Sequence, residues 1–291
     1  MHGIFQMRDF LLTRTSNYNK NTKKERKCLY LKLEILIDIQ MKKAIIIGAT
    51  SGIGREVAIR LIDEGWKVAI SGRREERLQE LQNKYGEDKV IYAVMDITRE
   101  DSVAALDALL EKMGPPDLFL HVSGVGKQNP QLKEDIEIWT MKTNCEGMVR
   151  MITHIMNYIK GCPVYNKKNK AHVAVITSLA GTAGLGSAAA YSASKKMQNT
   201  YISALSQLSR QVGIPVQFTD IRPGFVKTDI LDLSHNYPFL ISVETAADHI
   251  MYALRRKKRI YIFDWRFRII TALWRLIPIG IWERMSFIKT D

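Results

Sequence analysis

The chain has 291 residues and a formal net charge of +13, a length that suits one α/β domain with a sizeable buried core. Residues 1–40 carry +4 and residues 251–291 carry +7, so the centre carries only +2; no nucleic-acid recognition motif accompanies this charge, which argues against a nucleic-acid partner. The three cysteines, Cys28, Cys145 and Cys162, lack paired spacing. This pattern predicts neither a disulfide framework nor a metal site, and it fits a reducing cytosol.

Residues 1–40 differ in composition from the rest of the chain, because they contain no Ala, Val, Pro or Trp. Met41 stands just before the first strand-like run. We expect Met41 to be the native start, and residues 1–40 to be a disordered tail or a wrongly assigned extension. The competing interpretation is an added edge strand, since Leu29 to Ile39 alternates apolar and polar residues.

Strand-like runs alternate with helical stretches along the rest of the chain. They cover residues 43–48, 67–72, 89–95, 117–123, 171–178, 215–221 and 259–263. Such alternation predicts a parallel sheet with helices on both faces. We place it in a single α/β domain spanning residues 41–264.

A glycine-rich turn follows the first strand-like run. The turn reads Gly48-Ala49-Thr50-Ser51-Gly52-Ile53-Gly54 and leads into a helical stretch from Arg55 to Glu64. Strand, glycine turn and helix are typical of a dinucleotide-binding entry, where the glycines let a pyrophosphate approach the helix N-terminus. A tight turn without a ligand is the alternative.

The end of the second strand-like run indicates which dinucleotide would bind. The run ends in Ser71-Gly72-Arg73-Arg74, without the carboxylate that usually accepts hydrogen bonds from the ribose of NAD. Arg73 offers a planar fork of donors that suits a 2′-phosphate, and Ser51 could add a hydroxyl contact; Arg74 is a weaker candidate. We therefore expect NADP(H), with carbonyl reduction as the physiological direction.

A tyrosine and a lysine lie four residues apart in Tyr191-Ser192-Ala193-Ser194-Lys195, so a helix would place both on one face. A nearby cation favours the phenolate and lowers the phenol pKa from its usual value of about 10. The pair suits a general acid that protonates a carbonyl oxygen while a hydride reaches the carbon. The motif also arises by chance on ordinary surface helices, and the glycine turn upstream is what gives it weight.

With Gly-x-x-x-Gly-x-Gly upstream and Tyr-x-x-x-Lys downstream, the chain resembles the short-chain dehydrogenase/reductase family from about Lys42 to about Phe263. The resemblance implies a Rossmann-like, doubly wound sheet with strand order 3-2-1-4-5-6-7 and NAD or NADP as cofactor. One element departs, because His121-Val122-Ser123-Gly124 stands where the family often has Asn-Asn-Ala-Gly. We expect His121 to be a packed or hydrogen-bonded histidine rather than a catalytic base.

The resemblance also implies roles for individual residues. Tyr191 would be the general acid or base, Lys195 would lower its pKa and bind the nicotinamide ribose, and Ser178 would hydrogen-bond the substrate oxygen. Asn144 would hold a water that links Lys195 to bulk solvent. The expected cofactor-binding residues are Gly48, Ser51, Gly52, Ile53, Gly54, Arg73, Asp96, Ile97, Gly124, Tyr191, Lys195, Pro223, Gly224, Val226 and Thr228.

The region expected to cover the substrate is apolar. Residues 229–243 include Ile230, Leu231, Leu233, Tyr237, Phe239 and Leu240, and Gly184, Leu185 and Gly186 would flank the carbonyl site. The segment offers no cluster of Arg or Lys to hold a carboxylate or phosphate. We expect a hydrophobic ketone or alcohol, steroid-like or lipid, as substrate. A dinucleotide-binding regulator or scaffold without turnover is the alternative function.

The C-terminal segment, residues 265–291, mixes aromatic and aliphatic residues with arginines. In helical projection one face holds Asp264, Arg268, Thr271 and Arg275, and the other holds Ile269, Ile270, Leu273, Trp274 and Ile277. Charges interrupt the segment too often for a spanning helix of about 20 apolar residues, and Pro278 would kink or end the helix. Either residues 265–287 form an amphipathic element at a membrane or a lipid-accessible pocket, or the helix packs on its own core or on another subunit. We expect a cytoplasmic protein and, from the resemblance, a homodimer or homotetramer.

Overall fold

The computed structural model describes residues 41–231, 237–274 and 276–285. The expectations for residues 1–40, and those that involve Leu233, Arg275 or residues 286–291, lie outside these ranges.

Seven parallel strands form one sheet in the order β3-β2-β1-β4-β5-β6-β7, which confirms the predicted topology. The strands are β1 (Lys43–Ile47), β2 (Lys67–Gly72), β3 (Val90–Val94), β4 (Leu118–His121), β5 (Ala171–Ile176), β6 (Val216–Pro223) and β7 (Ile260–Phe263). Each lies in its predicted run except β6, which continues to Pro223 because that residue pairs with Phe263 of β7.

Helices connect the strands and cover both faces of the sheet. They are α1 (Gly52–Asp63), α2 (Glu75–Tyr85), α3 (Ser102–Met113), α4 (Glu134–Met141), α5 (Met148–Gly161), α6 (Ala189–Val212), α7 (Val243–Arg255), α8 (Trp265–Trp274) and α9 (Ile279–Trp282). A π-helical segment, Lys142–Gly147, joins α4 to α5, and short 3₁₀ turns at Leu179–Gly181 and Gly186–Ala188 precede α6. Helix α1 begins at Gly52, before its predicted start, because the glycine turn leads directly into it.

The core lies in two layers, one on each face of the sheet. Ala44 and Ile46 of β1 pack with α1, α2 and α7, whereas Ile45 and Ile47 pack with α3, α5 and α6. A strand buried on both faces reads as a continuous apolar run, which is why the central strands stand out in the sequence. The carboxyl ends of β1 and β4, which neighbour each other in the sheet, open toward the cleft described below.

The C-terminal helix α8 packs on the domain through a side that lies between the two predicted faces and includes the half-buried Ile270 and Trp274. Phe267 and Thr271 are buried, whereas Ile269 and Leu273 are 52% and 57% exposed. Thr271 can be buried because its hydroxyl donates to the carbonyl of Phe267 at 2.8 Å. In the described ranges, no helix combines the length and apolar character needed to cross a membrane.

Candidate active site

A cleft of about 520 Å³ lies at the carboxyl edge of the sheet, where the loops after β1, β2, β4, β5 and β6 meet. It is lined by every residue expected to bind the cofactor and by Ser178, together with residues that were not expected, among them Trp139, Thr143 and Ile176. Asn144 is the exception among the predicted site residues, because its side chain is buried behind the cleft wall.

The glycine turn wraps closely around its own backbone at the mouth of α1. Gly48 has a φ of +99°, which L side chains rarely adopt, and a Cβ on Gly54 would overlap the carbonyl oxygen of Gly48. Ser51 is the N-cap of α1, and its side chain makes no capping hydrogen bond. The first N–H groups of the helix therefore face the cleft, an arrangement that favours a bound anion.

Two adjacent arginines stand at the end of β2, and Arg74 is the one that reaches the glycine turn. Its Nη2 donates to Ser51 Oγ at 2.6 Å and to Thr50 Oγ1 at 3.1 Å. Arg73 lines the same cleft and lies close enough to Asp96 for its charge to lower the pKa of that carboxyl. Arg74 therefore contacts Ser51 directly, and the ranking of Arg73 above Arg74 as a partner for a 2′-phosphate stays a prediction.

Asp96 follows β3 and is held as a carboxylate. Burial opposes the charged form, but hydrogen bonds from the N–H and hydroxyl of Thr98, at 3.0 Å and 2.8 Å, and the charge of Arg73 lower the pKa of Asp96 overall. Asp96 and Ile97 line the cleft beside the arginines, so a hydrogen-bond acceptor is available there.

Tyr191 and Ser178 converge from different elements. Ser178 caps the turn Leu179–Gly181, accepting from Ala180 N at 3.1 Å, and Tyr191 lies in the first turns of α6. Burial raises the pKa of the Tyr191 phenol, and a hydrogen bond with the Ser178 side chain acts in the opposite direction. The phenol and the hydroxyl thus face one point in the cleft, and burial keeps the phenol protonated at neutral pH.

Lys195 lies one turn further along α6, with its Nζ 5.6 Å from the centroid of the Tyr191 ring. Burial lowers the pKa of this lysine to about 8, although the charges of Cys145 and Asp220 oppose the shift. The expectation that Lys195 lowers the pKa of Tyr191 stays a prediction. Burial of the phenol dominates, and the ammonium points instead to Gln198, whose Oε1 lies 3.1 Å away.

Asn144 lies in the π-helical segment and ties the loop after β4 to α6. Its side chain forms two hydrogen bonds with the backbone of Val125, at 2.7 Å and 2.8 Å, and donates to Ser194 Oγ at 3.0 Å. Its backbone carbonyl accepts a hydrogen bond from Gln198 Nε2 at 2.8 Å. A glutamine side chain thus occupies the position between Lys195 and Asn144.

His121, which replaces an asparagine of the family pattern, is fully buried at the end of β4. Burial and the nearby charge of Lys195 lower its pKa to about 3. The ring is therefore neutral across the physiological pH range, as expected for a packed histidine and not for a base that titrates near pH 7.

The segment after β6 is held against the cleft by aromatic packing. Phe267 of α8 lies directly on Gly224, where a Cβ would overlap its ring. The ring centroids of Phe225 and Tyr237 are 4.8 Å apart, and those of Phe239 and Phe267 are 5.5 Å apart. The C-terminal helix thus supports the Pro223–Thr228 segment from behind.

The far end of the chain also reaches the substrate side. The Trp282 indole N–H donates to the carbonyl of Gly184 at 2.8 Å, and the rings of Trp274 and Trp282 pack edge to face with centroids 5.3 Å apart. Helix α9 therefore contacts the loop that was expected to flank the carbonyl site.

Sequence reasoning missed Gln198, Ser194 and Trp139. Gln198 and Ser194 have polar side chains on the buried stretch of α6 next to Lys195, and helical spacing from Lys195 could have identified Gln198. Trp139 lies on α4 and lines the cleft while remaining 41% exposed. No local pattern marks that position.

Comparisons with known proteins place this geometry in a family. The model of the short chain dehydrogenase family matches residues 42–236. An uncharacterised oxidoreductase of Myxococcus xanthus is 29% identical over 253 residues, covering 84% of this chain and 95% of the relative.

Solved structures share the fold. A short chain dehydrogenase/reductase of Burkholderia phymatum in complex with NAD superposes with a TM-score of 0.72 at 20% identity, covering 87% of this chain and 99% of that one. An alcohol dehydrogenase of Thermococcus sibiricus complexed with 5-hydroxy-NADP gives a TM-score of 0.65 at 22% identity, covering 77% and 96%. Given its strand order, its glycine turn and the match of the family model over most of its length, the chain belongs to the short chain dehydrogenase family of oxidoreductases.

Proposed function

We propose that the protein is an NADP(H)-dependent oxidoreductase that interconverts a hydrophobic ketone and its secondary alcohol. The observation that carries this proposal is the convergence of Tyr191 and Ser178 in a cleft that also contains Lys195 and the glycine turn, with the Ser178 side chain close enough to act on the pKa of the phenol. A neutral phenol and a hydroxyl that face one point suit the polarisation and protonation of a carbonyl oxygen.

Each catalytic residue has a separate role in this reaction. In reduction, Ser178 donates a hydrogen bond to the substrate oxygen as negative charge develops there, and Tyr191 transfers its phenolic proton to that oxygen. The phenol is protonated at neutral pH, as a general acid must be, because even an unperturbed tyrosine has a pKa of about 10. Lys195 presents a cation beside the phenol, which favours the phenolate left after transfer.

The residues of the cleft fit a nicotinamide dinucleotide. The glycine turn that lines the cleft and the first N–H groups of α1 suit a pyrophosphate. Asp96 supplies an acceptor for the adenine amino group, and the Pro223–Thr228 segment would cover the nicotinamide. When bound, the dinucleotide supplies or accepts the hydride.

The preference for NADP(H) rests on the arginines at the end of β2. Both arginines line the cleft where the adenosine ribose would lie, and Arg74 is hydrogen-bonded to Ser51. The last residue of β2 is Gly72, so the strand does not end in a carboxylate that would repel a 2′-phosphate. Relatives in the fold bind either cofactor, as the complexes with NAD and 5-hydroxy-NADP illustrate.

The preference for a hydrophobic substrate rests on the lining of the cleft beyond Tyr191. Trp139, Ile230 and Leu231 line it, and the aromatic rings of Phe225 and Tyr237 pack behind the Pro223–Thr228 segment. A steroid-like or lipid ketone fits this surface better than a substrate with a carboxylate or phosphate.

We further propose that the chain works in the cytoplasm as a homodimer or homotetramer and touches a membrane through its C-terminal segment. The exposed apolar side chains of α8 and α9 support the membrane contact. They are Trp265, Ile269, Leu273, Leu276, Ile279 and Ile281, exposed by 52% to 78%, and the arginines of the same segment suit anionic headgroups.

A substrate screen tests the reaction. Purified protein should oxidise NADPH faster than NADH with at least one ketone from a panel of sterols, bile acids and keto-lipids. Tyr191→Phe should lower kcat by about 10²–10⁴-fold while leaving NADPH binding, measured by calorimetry, within about twofold of the wild type.

The alternative function, a dinucleotide-binding regulator without turnover, predicts a different result. It predicts that the wild type and Tyr191→Phe both bind NADPH and that neither of them reduces any ketone of the panel. The intact set of Ser178, Tyr191 and Lys195 in one cleft favours the enzyme. Loss of NADPH binding in Tyr191→Phe would contradict the assignment of a purely chemical role to that phenol.

A further inference from the structure

Gln198 links the two groups that we expected a water to join. It lies one turn after Lys195 on α6 and is fully buried. Its Oε1 accepts from Lys195 Nζ at 3.1 Å, and its Nε2 donates to the backbone carbonyl of Asn144 at 2.8 Å. One carboxamide therefore connects α6 to the π-helical segment.

The chemistry of the two partners fixes the orientation of this amide. An ammonium only donates and a carbonyl only accepts, so the oxygen of Gln198 must face Lys195 and its nitrogen must face Asn144. The carbonyl is accessible to another helix because it lies in the π-helical segment, where the regular α-helical hydrogen-bond pattern is interrupted.

The bridge differs from a water in one chemical respect. A water between the same two groups can accept a proton on one side and release another on the opposite side. A carboxamide does not titrate in this range, so it holds both partners but passes no proton between them.

We propose that Gln198 is a positioning residue for the reaction proposed above: it fixes the Lys195 ammonium in the cleft and takes up hydrogen-bonding positions on Lys195 and on the Asn144 carbonyl that a relaying water would use. Proton return to Tyr191 through a water between these two groups is then disfavoured. The expected effects on turnover rest on the proposed function. The effect of Gln198 on the position of Lys195 rests on the hydrogen bonds alone.

Other groups around Lys195 define the background for this effect. The charges of Cys145, from the π-helical segment, and Asp220, from β6, favour the charged lysine, and the neutral His121 of β4 lies close enough to be affected by it. The Tyr191 ring lies on the same helix. Gln198 contributes the hydrogen bond that holds Nζ in place.

Two substitutions separate positioning from simple packing. Gln198→Met keeps the volume of the side chain but removes both hydrogen bonds, whereas Gln198→Ala leaves room for a water between Lys195 and the Asn144 carbonyl. We expect Gln198→Met to lower kcat/KM about tenfold to a hundredfold, as for the loss of a hydrogen bond to a charged group. We expect Gln198→Ala to stay within about threefold of the wild type and to show a shifted pH profile of kcat, since proton return through water is restored.

Melting temperatures separate a positioning effect from a loss of folding. Gln198→Met leaves the buried Lys195 ammonium and Asn144 carbonyl without this partner, whereas a water can contact both in Gln198→Ala, so we expect both variants to melt below the wild type and to remain folded at the assay temperature. A lower kcat/KM for Gln198→Met than for Gln198→Ala, measured where both are folded, supports positioning. Equal kcat/KM values for the two folded variants would overturn the proposal.

NADPH binding without substrate provides a readout that does not depend on turnover. Calorimetry should show weaker binding for Gln198→Met than for Gln198→Ala, because Lys195 loses its anchor only in the former. Gln79→Met, the same change at an exposed position of α2, is the control and should match the wild type in all three measurements. Equal binding by both Gln198 variants would contradict the proposal, whereas absence of turnover in the wild type would contradict only the proposed function.

Discussion

The ammonium of Lys195 is 5% exposed, and its burial costs stability. The fold lowers the pKa of this lysine to about 8 from an ordinary value of 10.5. The folded protein therefore binds fewer protons than the unfolded chain between these two values. The cost is complete below about pH 8 and is relieved as the pH rises toward that of the unfolded lysine.

This linkage predicts a pH-dependent difference between the wild type and Lys195→Met. The difference in free energy of unfolding, wild type minus variant, should increase as the pH is raised from 8 to 10. The full pKa shift corresponds to an increase on the order of 3 kcal/mol. Urea unfolding at a series of pH values measures the difference, in which groups common to both proteins cancel. A constant difference across this range would show that Lys195 keeps its ordinary pKa in the folded protein.

Arg74 carries a second prediction at the residue scale. Because Arg74 contacts Ser51 and Thr50 at the glycine turn, Arg74→Ala should raise the KM for NADPH about tenfold or more and leave the KM for NADH nearly unchanged, as expected for the loss of a charge-assisted phosphate contact. Arg73→Ala tests the other arginine. Arg77→Ala, an exposed arginine of the same helix that does not line the cleft, is the control. Equal effects on the two cofactors would refute a role in recognising the 2′-phosphate.

The motif residues of the site could be predicted from the sequence because each one is tied to a fixed local geometry. Gly48 and Gly54 follow from a turn that excludes side chains, and Tyr191 and Lys195 follow from helical spacing. Gln198, and the contacts of Arg74 with Ser51 and Thr50, required the structure. Their roles depend on which side chain from a distant segment reaches them, and the sequence does not give such long-range distances.

Gly224 lies at the contact between the end of β6 and helix α8. The ring of Phe267 in α8 lies where a Cβ of residue 224 would be, and Phe267 is itself buried. The end of β6 and the C-terminal helix are thus packed in direct contact, without room for a methyl group between them.

Gly224→Ala should lower the free energy of unfolding by about 1–3 kcal/mol, the usual cost of overpacking, and should also raise the KM for the cofactor, because the Pro223–Thr228 segment shifts. Chemical unfolding and steady-state kinetics measure the two effects. Gly161→Ala, at the end of α5 where nothing lies within 4 Å of the new Cβ, serves as the control. A stable variant with an unchanged KM would show that Phe267 yields easily.

At the element scale, the strands could be predicted from their apolar runs and their order from the family resemblance, but the burial of α8 could not be predicted. Continuous apolar runs such as Ala44–Ile47 indicate central parallel strands regardless of context. In α8, Thr271 is buried and Leu273 is exposed, because packing against Phe239 and Gly224 selects the face that carries Phe267. Helical periodicity identifies two faces, but tertiary contacts decide which one is covered.

At the scale of the whole molecule, the charge and the exposed apolar surface are concentrated in the C-terminal part. The basic run Arg255–Arg259 begins at the last residue of α7 and continues to the start of β7. The exposed apolar side chains of the C-terminal segment follow it in the chain. Positive charge beside exposed apolar surface is typical of contact with an anionic membrane surface.

Liposome co-sedimentation tests this contact. Replacing Ile269, Leu273 and Leu276 together by Ser should lower binding to phosphatidylserine-containing vesicles about tenfold, because less apolar surface leaves water. Raising the salt concentration should weaken binding of the wild type. Val164→Ser, at an exposed apolar position of another loop, is the control. Identical sedimentation of the triple variant and the wild type would exclude these side chains from the contact.

The indole of Trp282, which donates to the carbonyl of Gly184, gives the protein a built-in optical reporter. Its emission depends on the polarity around the ring and on that hydrogen bond. A substrate that displaces the Gly184 loop would change both. Because the chain has five tryptophans and Trp139 lines the cleft, comparison with Trp282→Phe would assign the change in emission to Trp282.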